Sequence, residues 1–268
     1  MRRLAFTILE LLVVIAIIAI LMAILIPTVN YSRKQAKTVA CASNVRELVI
    51  GLHAYEAENQ IFPQGFDGDH PGTPPQGYSG LGEFDKMGWW WFNFLPDYFR
   101  KDSKHREVLW CPDRQLTGSR LKKDVLCGNY GVNQSICKDS YGTRKLAEFV
   151  GSPLRLGDIP KPSSTLLVVD SGYALINWWH VTTEPPGTFS TRIEDTAYIP
   201  GLPINLEINK KRTFWPEQQK DAIGDRHPSK TVNIGFADSH VAKTKATELI
   251  VEKNGESYKN HQPLWRPK

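Results

Sequence analysis

The sequence predicts an α+β fold in which one long N-terminal helix, half apolar and half amphipathic, packs on a C-terminal antiparallel β-sheet domain with long loops. Three observations predict it. Apolar residues are concentrated in an unbroken run of 16, from Leu11 to Ile26. Beyond that run Cys41, Val45, Leu48, Leu52 and Tyr55 recur at spacings of 4, 3, 4 and 3, which is a single helical stripe. Far downstream, Val232, Ile234 and Phe236 alternate with period two, and Asp238-Ser239 then leads into His240-Val241-Ala242-Lys243. That pattern is a β-hairpin with a two-residue turn.

The apolar run extends back to Phe6, giving 21 residues interrupted only by Thr7 and Glu10. At a rise of about 1.5 Å per residue the segment is about 31 Å long, one hydrocarbon core. Arg2 and Arg3 precede it, so the positive-inside tendency keeps the N-terminus in the cytoplasm and exports the rest. A cleaved secretory signal is shorter and ends in a small-x-small site, whereas this run ends in Ile26-Pro27-Thr28-Val29-Asn30. An uncleaved anchor helix accounts for everything but Glu10, whose carboxylate costs about 2–3 kcal/mol in a membrane helix unless it is paired. After Pro27, the charges of Arg33, Lys34, Lys37, Arg46, Glu47, Glu56 and Glu58 supply the polar faces, and the helix ends near Asn59, ahead of Pro63 and Gly65. Residues 6–59 then form one helix about 80 Å long. Its second half lays the stripe on a globular domain or, less in keeping with only two heptads of pattern, forms a coiled coil.

Composition removes several function classes. The 268 residues carry 33 Lys+Arg against 28 Asp+Glu, a net charge of +5, with no basic run or arm of the kind that binds nucleic acid. A 41% hydrophobic content with 8 Trp, 9 Tyr and 11 Phe supports a packed core and excludes wholesale disorder. A mean hydropathy of −0.34 excludes a polytopic membrane protein but not a single span. No G-x-S-x-G, Walker loop, H-E-x-x-H or C-x-x-C occurs, and Cys gaps of 70, 16 and 10 residues do not suit a zinc ribbon.

The start of the chain, Met-Arg-Arg-Leu-Ala followed by Phe6-Thr7-Ile8-Leu9-Glu10 and Leu11-Leu12-Val13-Val14-Ile15-Ala16, resembles the type IV prepilin signal. The resemblance implies cleavage between Ala5 and Phe6 by a prepilin peptidase, N-methylation of Phe6, and retention of the apolar helix with Glu10. Ala5 departs from the Gly usual before the cut. Pro27 is the twenty-second residue from Phe6, where pilins commonly carry a helix-kinking Pro. Physically, the Glu10 carboxylate can pair with the Phe6 ammonium of a neighbouring subunit, so that two groups costly in lipid neutralise each other and set register. The segment from Cys41 to Tyr55, with Ile61-Phe62-Pro63, extends the likeness to pseudopilin-like proteins of planctomycete-type bacteria. Leu109-Trp110-Cys111-Pro112-Asp113 and Asn129-Tyr130-Gly131-Val132-Asn133 resemble stretches of the same family. Arg226-His227 before the hairpin resembles its "His-x9-Asp-Gly" box, with ten residues between His227 and Asp238 and with Ser239 in place of Gly.

The organisation expected is a leader at 1–5, a long helix at 6–59 whose residues 6–26 are the transmembrane and assembly part, and an exported domain at 60–268. Residues 63–88 hold four Pro and seven Gly and read as loop. Trp89-Trp90-Trp91 is either a partner- or sugar-stacking patch or core packing against the long helix. Thr165–Asp170 reads as a buried strand, and 173–225 as long loops or an insert. His227, Asp238 and His240 are metal candidates, against the alternative of a hairpin turn in which Asp238 caps backbone amides. Asp67-Gly68-Asp69-His70 suggests calcium but lacks EF-hand spacing. Export would permit disulfides, and four Cys allow three pairings. The expected ones are Cys127–Cys137, a short loop, and Cys41–Cys111, a long closure worth about 4 kcal/mol in the chain-entropy model. The resemblance implies a structural pseudopilin subunit of a type II secretion pseudopilus or type IV pilus-like filament rather than an enzyme. Its partners would be prepilin peptidase, other pilin-like subunits, the assembly platform and the inner membrane, with the C-terminal domain periplasmic. The alternatives are an anchored module binding carbohydrate or envelope polymer, and an anchored hydrolase using His227, Asp238 and His240.

Overall fold

The computed structural model describes residues 7–72, 88–95, 108–116, 124–140, 148–186, 197–205, 216–224 and 226–267. The first element is one α-helix, α1, Ile8–Asn59, of 52 residues. It begins in a reciprocal capping box. The Thr7 hydroxyl accepts from the Glu10 amide at 3.2 Å, and the Glu10 carboxylate accepts from the Thr7 amide and hydroxyl at 2.9 Å each. It ends at Gln60, whose φ of 62° is left-handed and whose amide returns to the Glu56 carbonyl. Pro27 lies inside without dividing the helix. It has no amide to give the Ala23 carbonyl, while the next residue, Thr28, turns its hydroxyl onto the Leu25 carbonyl at 2.8 Å.

The two halves of α1 differ in what covers them. From Ile8 to Ile26 the large apolar side chains are exposed, and the most apolar 18-residue window has a mean hydropathy of 3.2 with none of it buried. From Thr38 onward the helix buries Thr38, Cys41, Val45, Leu48, Val49, Gly51 and Leu52. That is the stripe expected from the spacing up to Leu52, widened by Thr38, Val49 and Gly51, while Tyr55 is half-buried.

The surface it meets is a five-stranded sheet made of β3 (Tyr130–Asn133), β4 (Leu166–Asp170), β5 (Leu175–Ile176), β6 (Thr231–Phe236) and β7 (Val241–Lys245), in the order β5-β3-β4-β6-β7. Two short strands before it, β1 (Phe66–Asp67) and β2 (Trp89–Trp90), form a separate ribbon. All pairings in the main sheet are antiparallel except β3 with β5, so the sheet is mixed. The central strand β4 is buried at every residue, as its apolar run requires. Helix α1 crosses over β6, β4 and β7. It comes so close that a Cβ on Gly235 would stand 2.3 Å from Val49 Cγ2 and 2.8 Å from Val168 Cγ1.

The hairpin between β6 and β7 differs from the expected two-residue turn. The Ser239 amide donates to the Phe236 carbonyl at 3.0 Å and the Phe236 amide to the His240 carbonyl at 2.9 Å. The loop is therefore Ala237-Asp238-Ser239, closed by Ser239 at φ 77°. This is a three-residue connection with a left-handed third residue, the second commonest way to join such strands.

Candidate functional site

The described residues bring four side chains of types that can hold a metal together under the long helix. Cys41 comes from the buried stripe of α1, Cys111 from the loop Cys111-Pro112-Asp113, Asp170 from the end of β4, and His227 from the segment leading into β6. One ligand atom from each lies within 4.8 Å of the other three, and all four residues are buried. The sulfurs of Cys41 and Cys111 are 3.6 Å apart. Cys41 Sγ is 3.0 Å from Asp170 Oδ1, and His227 Nε2 is 3.1 Å from Asp170 Oδ2.

The cluster is held by polar neighbours. Tyr130 donates its hydroxyl to Cys41 Sγ at 3.3 Å, and Asn44 supports that hydroxyl from one turn further along α1. The Asn233 amide donates to Asp170 Oδ2 at 2.6 Å. The Cys111 amide donates to Asn129 Oδ1 at 3.0 Å. Behind them Arg226 is fully buried against Asp221, with its guanidinium also reaching the carbonyls of Asn129 and Ser171. Electrostatics follows from this crowding. Burial pushes the Cys41 thiol up, with the neighbouring sulfur and Asp170 adding to it. Burial would also raise Cys111, but the Cys41 sulfur, the His227 imidazole and the Arg226 charge overcome it and bring that thiol to about 6. Burial would lower His227, yet the Asp170 carboxylate opposite raises it to about 10.

The other sites expected from sequence lie as follows. Asp238 and His240 are on the exposed hairpin loop, where the His240 amide donates to Asp238 Oδ1 at 3.2 Å, the imidazole contacts the same carboxylate, and the ring stacks on Phe236. His227 sits with Cys41, Cys111 and Asp170 rather than in a group with those two. In the segment of the calcium candidate, Asp67 Oδ1 accepts from the Asp69 amide at 3.1 Å and His70 stacks on Trp89. Trp90 and Trp91 are buried, Trp90 against Phe66 and Tyr173 and Trp91 donating to the Ala174 carbonyl, which leaves Trp89 as the more open of the three. No two of the four cysteines are bridged in this structure. Cys127 and Cys137 flank β3 and are not joined in this structure. Ala5 and Phe6 lie outside the described residues, and Glu10 and Pro27 lie on the exposed apolar half of α1.

Residues 1–26 match the prokaryotic N-terminal methylation motif. The match covers the run that the helix leaves bare. A methylation motif joined to a long apolar helix is consistent with a type IV pilin-like protein, and the exposed segment fits a membrane anchor. No curated protein and no solved structure matches the chain.

The sequence pairs Cys41 with Cys111 as a disulfide and groups His227 with Asp238 and His240, and it gives no role to Asp170. The available signal was a lone carboxylate ending the apolar run Leu166-Leu167-Val168-Val169. A charge there, on a strand otherwise buried, requires a partner.

Proposed function

We propose that the chain is a pilin-like structural subunit, a pseudopilin, of a type II secretion pseudopilus or a type IV pilus-like filament. In this reading prepilin peptidase removes residues 1–5 by cutting between Ala5 and Phe6, and Phe6 is N-methylated. Residues 6–26 anchor the protein in the inner membrane and pack with other subunits in the filament, while residues 60–268 are the exported, periplasmic domain. The observation that carries the reading is the methylation motif on an apolar helix that continues, without a break, into the helix buried on the sheet. An anchor serving only to tether a soluble domain needs neither this continuity nor Glu10.

The test is intact-mass and N-terminal peptide analysis of the chain from a membrane fraction containing a prepilin peptidase. The expected product begins at N-methylphenylalanine 6. An intact Met1 terminus, or cleavage beyond residue 25, refutes the reading.

A further inference from the structure

We propose that Cys41, Cys111, Asp170 and His227 form a structural zinc site that fastens the long helix to the sheet. The site is independent of filament assembly, because all its ligands belong to the folded domain and the part of α1 packed on it.

The donor set and its geometry both fit. Two sulfurs, one imidazole nitrogen and one carboxylate oxygen make a borderline-soft set that suits zinc over calcium or magnesium. Zinc bonds of about 2.3 Å to sulfur and about 2.0 Å to nitrogen or oxygen define a tetrahedron. Its sulfur–sulfur edge is about 3.8 Å and its nitrogen–oxygen edge about 3.3 Å. The corresponding distances here are 3.6 and 3.1 Å. Four protein ligands in a fully buried place leave no open position for substrate, which is the mark of a structural rather than a catalytic zinc.

The histidine supplies an independent argument. Thr38 donates its hydroxyl hydrogen to the Lys34 carbonyl at 2.9 Å. The same oxygen lies 3.3 Å from His227 Nδ1 and is left to accept, so Nδ1 carries a hydrogen. Asp113 Oδ2 stands 3.9 Å from the same nitrogen. The hydroxyl behind the imidazole fixes its tautomer, as such second-layer acceptors do in histidine–zinc sites generally. Nε2 is thereby turned into the cluster. It is buried and, although 3.1 Å from Asp170 Oδ2, it makes no aligned hydrogen bond. A cation placed between Nε2, the carboxylate and the two sulfurs satisfies all of them together. A Cys41–Cys111 disulfide would satisfy the sulfurs only. The Tyr130 hydroxyl pointing at Cys41 Sγ is also the donor that a metal-bound thiolate takes.

The experiment uses the full chain purified in detergent, with metal content measured by plasma mass spectrometry and cysteine state by non-reducing peptide mapping. The expected result is about one zinc per chain surviving gel filtration, four thiols recovered on denaturation, and zinc lost from Cys111→Ser and His227→Ala. Because those variants can lose metal merely by unfolding, His227→Cys, which keeps a ligand, is the control and retains the zinc. Cobalt exchanged into the wild-type chain gives the sulfur-to-metal charge-transfer band of a two-thiolate tetrahedral site. A Cys41–Cys111 disulfide peptide from zinc-free protein overturns the proposal. So does a folded chain with four free thiols that takes up no zinc.

Discussion

Ser239 holds a backbone conformation that an L-residue adopts only at a cost, φ 77° at the close of the β6–β7 loop. The left-handed region is unfavourable by about 1–2 kcal/mol for a residue with a Cβ and free of that cost for glycine. Ser239→Gly is therefore expected to raise stability by about 0.5–1 kcal/mol, the relief being offset in part by the freer unfolded chain. Equilibrium denaturation checks this, and a destabilised variant would mean that the hydroxyl, not the backbone, governs the turn. The hairpin itself was legible from alternating Val232, Ile234 and Phe236, but its loop length was not. Two- and three-residue loops fit the same alternation, and only the pairing of Gly235 with Val241 distinguishes them. The buried cluster was legible only in pieces. Its four residues are spread from position 41 to position 227, and no local spacing encodes their meeting.

Helix α1 shows what periodicity can carry further. The stripe of Cys41, Val45, Leu48 and Leu52 named the buried face, and Gln60 ends the helix within a residue of the position set by Pro63 and Gly65. What it could not show is how closely that face sits on the sheet. Gly235 decides it, since the nearest obstacles to a Cβ there are Val49 Cγ2 and Val168 Cγ1 at 2.3 and 2.8 Å, with Val45 Cγ1 at 3.1 Å. Valine is stiff at χ1 and cannot swing its methyls away cheaply. Gly235→Ala is expected to destabilise the domain by about 1–3 kcal/mol through overpacking. Thermal unfolding of the full chain measures it, and a midpoint within experimental error of the parent would show that the helix can lift without cost.

At the scale of the molecule, the apolar half of α1 has no protein cover among the described residues. Glu10 lies within it, and its carboxylate is turned back onto Thr7. In a single chain it is thus satisfied locally, and pairing with a neighbour's Phe6 ammonium requires that box to open or share its oxygens. Glu10→Ala is expected to leave membrane insertion intact, since removing a carboxylate eases transfer into lipid, while greatly reducing incorporation into filaments. Quantifying the variant in sheared filaments against the membrane fraction gives the answer, and equal incorporation would remove Glu10 from assembly.

The continuity of α1 also has a mechanical meaning. Whatever draws on the anchor draws along the helix axis, and Cys41, Val45, Leu48 and Leu52 are strung along that axis over about 17 Å. A pull therefore loads the contact with the sheet in shear, all of its side chains resisting together, instead of peeling them away one after another. The domain is fastened along one face of a rod, and it yields to tension less readily than the same side chains would if they were peeled off in turn.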